Sequence, residues 1–223
     1  MTIGQLRVLY LRVMRESIFE RAAQEYDRWY ELNPYAYLSE IEAIRPHLKR
    51  GLSIEVGVGT GRFALSLGID FGLDPSVSML KIAKERGIKV IKGCVEKLPF
   101  KDNIFDNLLL VVTICFLEDP NPALKEANRV LKKGGRIILG FVDKKSFLGK
   151  LYLAKKEKSR FYRHAKFYSS KEIIDLLKEY GFKIELITQT LFKTIKEIHE
   201  VEPVKEGFGE GGFVVISAIK EKY

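Results

Sequence analysis

The chain has 223 residues, with 38 Lys and Arg against 29 Asp and Glu for a net charge of +9, and two cysteines and three histidines. That length supports one well-buried domain with a lid rather than two independent ones, and no apolar run approaches the roughly 20 residues that a bilayer crossing needs. Arg7, Arg12 and Arg15 interrupt any secretory leader, so the cytoplasm is the expected location, and Cys94 and Cys115, both in apolar surroundings, read as buried thiols rather than a disulfide or metal site.

Residues 1–16 carry Leu6, Leu9, Tyr10 and Val13 at helical spacing. Two readings stand for them: an amphipathic cap, or sequence upstream of a working initiator at Met14. Over 18–31, Phe19, Ala22, Ala23, Tyr26, Trp29 and Tyr30 recur at three- and four-residue steps and predict a helix with an aromatic face, which either packs on a sheet or closes over a ligand. Asn33-Pro34 breaks that helix, and a second is expected over 37–49.

Leu52-Ser53-Ile54-Glu55-Val56 suits a strand covered on both faces, and it runs into Gly57-Val58-Gly59-Thr60-Gly61. Three alternate glycines permit positive φ and let a ligand lie against the main chain, at the strand end where open α/β sheets bind ligands. The dinucleotide pattern Gly-x-Gly-x-x-Gly would place its third glycine at Arg62, which counts against a dehydrogenase. Gly68 ends the next helix early. Residues 69–73 then form a second strand ending in Asp74, and the interval 74 − 61 = 13 leaves a crossover helix of barely two turns. A carboxylate there can accept from two vicinal ribose hydroxyls, or cap the helix after Pro75-Ser76.

A third strand is expected over 88–92, before Gly93-Cys94-Val95-Glu96-Lys97-Leu98-Pro99-Phe100, and a fourth over 107–113, whose Leu and Val run suits the middle of a parallel sheet. A helix follows from Glu118-Asp119-Pro120, with Gly134-Gly135 expected to end it in a left-handed turn that leads into a fifth strand over 136–142. Between Asp143 and Tyr168 nine Lys or Arg face two acids. Phe147, Leu148, Leu151 and Tyr152 predict a lid helix within 144–166. Its cations either steer an anionic acceptor or form a solvated surface of thermophile-like composition. Ser169 or Ser170 caps a helix over 171–180, Gly181 stops it, and strands over 183–191 and 212–219 finish the chain.

Four of these segments resemble, in order and over residues 51–142, the motifs of the class I S-adenosylmethionine-dependent methyltransferases, in the type 11 group that includes the ubiquinone and menaquinone biosynthesis enzymes. They are Glu55-x-Gly57-x-Gly59-x-Gly61, Gly72-x-Asp74-Pro75-Ser76 with Met79, the loop from Gly93 to Pro99, and the helix and glycine pair ending at Gly135. The resemblance implies an α/β, Rossmann-like three-layer sandwich with a mostly parallel seven-stranded sheet, the last strand antiparallel. It divides the chain into an N-terminal helical cap (1–50), a cofactor-binding half (51–142), a basic lid (143–168) and a C-terminal helix and strand pair (169–223). It implies S-adenosylmethionine as cofactor, held by Glu55, Gly57, Gly59, Gly61, Asp74, Pro75, Met79, Cys94, Val95, Glu96 and Thr113. Tyr26, Trp29, Tyr37 and Ile114 would lie on the substrate or lid side, and His164 is the candidate base.

Departures from the family pattern matter as well. Cys94 replaces a polar residue that touches the adenine amino group, and the tip Thr113-Ile114-Cys115-Phe116-Leu117 lacks the histidines of many relatives. No Pro-Pro-aromatic signature for methylating nucleic-acid amino groups stands there, and no acid cluster suggests a metal. The expected acceptor is a small molecule met in an apolar pocket end. RNA is the alternative acceptor, resting on the basic segment, and a non-catalytic cofactor-binding module is the alternative outside enzymes.

Overall fold

The computed structural model describes residues 18–221. Residues 1–16, with the cap-or-initiator question, lie outside them, and a helical stretch begins at Ile18. The helix expected over 18–31 is interrupted at Ala22, and a new helix, α1, runs Ala23–Leu32. Pro34, placed by the sequence as a breaker, is also the first residue of α2 (Pro34–Ile44), where a missing N–H costs nothing.

The chain then alternates: β1 (Ser53–Val56), α3 (Arg62–Leu67), β2 (Phe71–Asp74), α4 (Val77–Glu85), β3 (Lys89–Lys92), β4 (Phe105–Val111), α5 (Pro120–Val130) and β5 (Leu131–Val142). After these come α6 (Phe147–Lys155), α7 (Ser170–Glu179), β6 (Phe182–Thr190), a two-residue β7 (Lys205–Glu206) and β8 (Phe213–Lys220). The short α3 follows from Gly68, which caps it at φ +69°. Ser76 Oγ accepts from Met79 N to start α4, and Ser169 and Glu172 form a reciprocal capping box on α7.

The sheet order is β3-β2-β1-β4-β5-β8-β6-β7. Pairs from β3 to β5 are parallel, and β8 lies antiparallel between β5 and β6. The seven expected strands are therefore joined by an eighth, β7, which pairs antiparallel on the edge of β6. Along β4 the side chains alternate between two cores. Leu108 and Leu110 meet α5 and α7 through Leu124, Ile173 and Leu177, while Leu109 and Val111 meet α2, α3 and α4 through Ile44, Phe63 and Leu80. All three leucines are fully buried, so truncating any one to alanine would cost about 2–5 kcal/mol.

Gly134-Gly135 does not end the preceding helix. That helix stops at Val130, and Leu131 already pairs with Phe105. The glycines form an irregularity inside β5, with Gly134 at φ +71° and a register shift before Asn107 meets Arg136. A Cβ on Gly135 would lie 2.8 Å from the Lys132 carbonyl oxygen, so the bulge needs a residue without one.

His47 bolts the helices to the antiparallel end of the sheet, with Nδ1 2.8 Å from Ser217 Oγ and Nε2 2.8 Å from Thr188 Oγ1. Thr188 Oγ1 gives its own proton to the Ala43 carbonyl at 2.9 Å, so Nε2 must donate to it and Nδ1 accept from Ser217. Burial holds this imidazole down at about 4, and it is neutral. Among the described residues no helix is long and apolar enough to cross a membrane.

Candidate active site

The strand order reverses between β1 and β4, and this is the point where open parallel sheets form a crevice at their carboxyl ends. A cavity of about 460 Å³ opens there, lined from β1 and β2, the loops that follow β3 and β4, and the N-terminal helical segment.

The three glycines after β1 have distinct tasks. Gly57 (φ +75°) presses on the tip of β4: a Cβ there would lie 2.5 Å from both Cγ2 and Oγ1 of Thr113. Gly59 (φ +53°) faces open space, with Tyr26 Cε1 its nearest neighbour at 3.8 Å. Gly61 does not line the cavity. Its missing Cβ leaves room for Ala83 of α4, at 3.0 Å, which sets how tightly the turn packs on that helix.

Asp74 ends β2, and its carboxylate ties two turns together: Oδ2 accepts from Gly59 N at 3.0 Å and Oδ1 from Ser76 N at 2.9 Å. Each carboxylate oxygen has a second lone pair, and the residue lines the cavity with Pro75, Ser76 and Met79. Cys94, Val95 and Glu96 form the opposite wall. Neither cysteine is in a disulfide, but Cys94 is only partly buried, a departure from the pair of buried thiols that the sequence suggested. α5 braces the loop that carries Cys94: Glu126 accepts from Leu98 N at 2.7 Å, and Arg129 donates to the carbonyls of Leu98 and Phe100 while pairing with Glu126. Thr113, with Val112 and Phe116, closes the third side. Val112 has φ +53°, costly for a β-branched residue, and its N–H donates to Gly140 O at 2.7 Å.

Glu55 lies behind the glycine loop, 1 % exposed, with Oε2 unpaired among the described residues. Burial pushes its carboxyl well above the usual range despite a hydrogen bond from the Ala64 amide. It faces a hollow of about 20 Å³, shared with Tyr26, Tyr30 and Thr60, which is room for roughly one water.

The N-terminal helices are strapped over the loop. Asp27 accepts from Arg62 at 2.9 and 2.7 Å and from Arg86 at 2.9 and 2.8 Å, and Arg86 also donates to Thr60 O. These two guanidiniums hold the Asp27 carboxyl well below its ordinary value against the opposing effect of burial. Glu20 accepts from the hydroxyls of Ser76 and Ser78. The strap brings Phe19 and Tyr26 into the cavity wall. The salt-bridge partners were missed in the sequence because Arg62 and Arg86 lie 35 and 59 residues from Asp27.

Of the substrate-side candidates, only Tyr26 reaches the cavity. Trp29 packs edge-on against Tyr30 at 5.1 Å. Tyr37 is held by the Arg62 carbonyl and Ser66 Oγ, at 2.7 and 2.6 Å. Ile114 is buried in the core on the α5 side of the sheet. His164 sits partly buried in a 3₁₀ turn, Tyr162–His164, away from the lining residues. The basic segment is less helical than its spacing suggests, with α6 followed by two 3₁₀ turns. No group of three or more His, Cys, Asp or Glu among the described residues could hold a metal ion.

A family model described as a methyltransferase domain matches residues 54–139, from β1 to β5. An uncharacterized protein of Methanocaldococcus jannaschii is 53 % identical over 204 residues, covering 92 % of this chain and 99 % of its own. A crystal structure from Thermotoga maritima, described as an S-adenosylmethionine-dependent methyltransferase and possible histamine N-methyltransferase, is 52 % identical, with a TM-score of 0.91 over 93 % of this chain and all of its own. The chain belongs to the class I S-adenosylmethionine-dependent methyltransferases. Within them it falls in the type 11 group, and the demethylmenaquinone methyltransferase of Staphylococcus haemolyticus is 31 % identical over 141 residues, 55 % of this chain and 58 % of its own. The methyltransferase cavity fits its cofactor: Gly59 leaves the main chain bare, the Asp74 carboxylate lies in the wall, and the charged lining is acidic, which suits a ligand carrying a sulfonium and an ammonium.

Proposed function

We propose that this methyltransferase acts on a small molecule. The supporting observation is the cavity itself: about 460 Å³ is near the low end for ligand sites, and an adenosyl donor would fill most of it. In this reading Asp74 accepts from the ribose hydroxyls, Pro75, Met79 and the Cys94-Val95-Glu96 segment flank the adenine, and Gly57, Gly59 and Thr113 border the methionine portion. Glu55 acts from behind the loop, and Gly61 through the seating of α4. S-adenosylmethionine supplies a methyl carbon made electrophilic by its cationic sulfur. The protein's part is then positioning: holding the acceptor atom within about 3–3.5 Å of its target and in line, which is worth up to about 7–11 kcal/mol. Phe19, Tyr26 and Phe116 would exclude water at that end.

Incubation with methyl-labelled donor and a metabolite extract should label a product of low molecular mass, and histamine belongs among the first single acceptors tried. Label appearing in RNA alone would overturn the small-molecule reading. Binding of S-adenosylhomocysteine without turnover of any acceptor would favour a non-catalytic module.

A further inference from the structure

No described Lys or Arg lines the cavity, whose charged side chains are Asp74, Glu96, Glu118 and Asp119. The surplus cations between Asp143 and Tyr168, nine against two acids, therefore face something other than the site. Two of them are engaged with acids elsewhere on the protein, Lys144 with Glu172 at 3.2 Å and Arg160 with Glu25. Lys145, Lys150, Lys155 and Lys158 are exposed on or beside α6.

That helix carries apolar side chains on both of its sides. The inner side is seated: Leu148 is fully buried, a Cβ on Gly149 would collide with the Asp143 carbonyl oxygen, and one on Gly212 would lie 2.7 Å from Leu148 Cβ. Tyr152 meets Phe167 edge-on at 6.4 Å. The core side is thus filled, and the remaining apolar residues are turned outward. At about 100° per residue, Phe147, Lys150, Leu153 and Ala154 share one face, and all four are exposed, Phe147 by 37 % and Leu153 by 38 %. The five exposed residues of α7, by contrast, are Lys171, Glu172, Asp175, Lys178 and Glu179, all charged. An RNA backbone would be met by the cations alone and leaves the outward Phe147 and Leu153 without a role. Apolar residues flanked by lysines are what a helix lying in a lipid interface presents. Anionic headgroups attract each lysine, and Lys150, in the middle of the apolar face, has a stem long enough to return its ammonium to the phosphates.

We propose that α6 docks the protein on an anionic lipid surface, with Phe147, Leu153 and Ala154 entering the headgroup layer and Lys145, Lys150, Lys155 and Lys158 meeting lipid phosphates. The contact is peripheral, since no described helix is long and apolar enough to cross a membrane. The same segment runs on to the cavity: Phe161 stacks on Phe19 at 5.8 Å and Tyr162 on Phe116 at 5.8 Å, and both Phe19 and Phe116 are lining residues. This goes beyond the small-molecule methyltransferase reading and does not depend on it.

The test is co-sedimentation of the full chain with vesicles of phosphatidylglycerol and phosphatidylcholine, against vesicles of phosphatidylcholine alone, at about 0.1 M and about 1 M salt, between which the screening length falls from roughly 10 to roughly 3 Å. At low salt the mixed vesicles should bind the protein at least about tenfold more tightly, and high salt should remove most of that advantage. Phe147→Gln combined with Leu153→Gln, at exposed positions outside the core, should weaken binding to the mixed vesicles about tenfold or more and leave S-adenosylhomocysteine affinity and melting temperature unchanged. Lys150→Glu combined with Lys155→Glu should abolish the preference for anionic vesicles. No binding at low salt, equal binding to both vesicle types, or wild-type binding by the Phe147 and Leu153 double variant overturns the proposal. Binding of single-stranded RNA without binding of vesicles overturns it as well.

Discussion

Replacing Asp74 by alanine severs two kinds of interaction that can be measured apart. In the free protein it strips Gly59 N and Ser76 N of their acceptor in a site where the side chain is 8 % exposed. Two orphaned amides at about 1–3 kcal/mol each give a loss of roughly 2–6 kcal/mol. For a chain of this size that is on the order of 10 °C in melting temperature. If the carboxylate also holds two ribose hydroxyls, each charge-assisted bond contributes about 1.5–3 kcal/mol, and S-adenosylhomocysteine should bind at least about a hundredfold more weakly. Thermal unfolding without ligand reads the first quantity, and calorimetric titration well below the variant's melting temperature reads the second. A variant that melts early yet binds with wild-type affinity would refute the ribose role and leave Asp74 as a tie between turns.

Three further outcomes follow from the geometry. Gly57→Ala forces a Cβ to within 2.5 Å of Thr113 and should abolish cofactor binding, whereas Gly68→Ala, also at positive φ but facing open space, should cost only about 1 kcal/mol of stability; equal effects in both assays would contradict the close approach. Asp27→Ala leaves the partly buried Arg86 without its carboxylate and Arg62 with the exposed Glu31 alone, so it should destabilise by about 3–5 kcal/mol and speed amide exchange over residues 18–32. Because the folded Asp27 carboxyl titrates below its ordinary value, its contribution is intact above about pH 4 and is lost as pH falls further, so Asp27→Ala should flatten the acid limb of the stability profile. His47 is held neutral with its value lowered from 6.5 to about 4, so stability should decline as pH drops between those values. His47→Gln should remove that decline, as followed by chemical denaturation at several pH values.

The parallel half of the fold was legible because its strands are short apolar runs that end in chemically distinctive residues. Glycines at alternate positions, an acid closing β2 and a Leu-Val run in β4 each leave a local signature, and all of them meet at the crevice. What the sequence hid depends on distance along the chain. Asp27 looks like an ordinary helix-surface acid until the fold brings two arginines to it, and Glu40 looks like another charge between Ile41 and Ser39 until burial on all sides is seen. The glycine pair at 134–135 was misplaced for a different reason: a helix stop and a strand bulge both call for positive φ, and the sequence shows only the need. Trp29, Tyr37 and Ile114 share the aromatic or apolar character of true lining residues, and only packing separates the two groups.

The placement of β8 has a consequence for how the molecule comes into being. Residues 213–220 fill the slot between β5 and β6, yet a ribosome delivers them after the other seven described strands. Until they emerge, two long ladders stand open in the middle of the nascent protein, and such unpaired edges invite neighbouring chains. Synthesis is therefore most hazardous just before β8 emerges, and stop codons placed just before Phe213 should yield insoluble material rather than a smaller folded core.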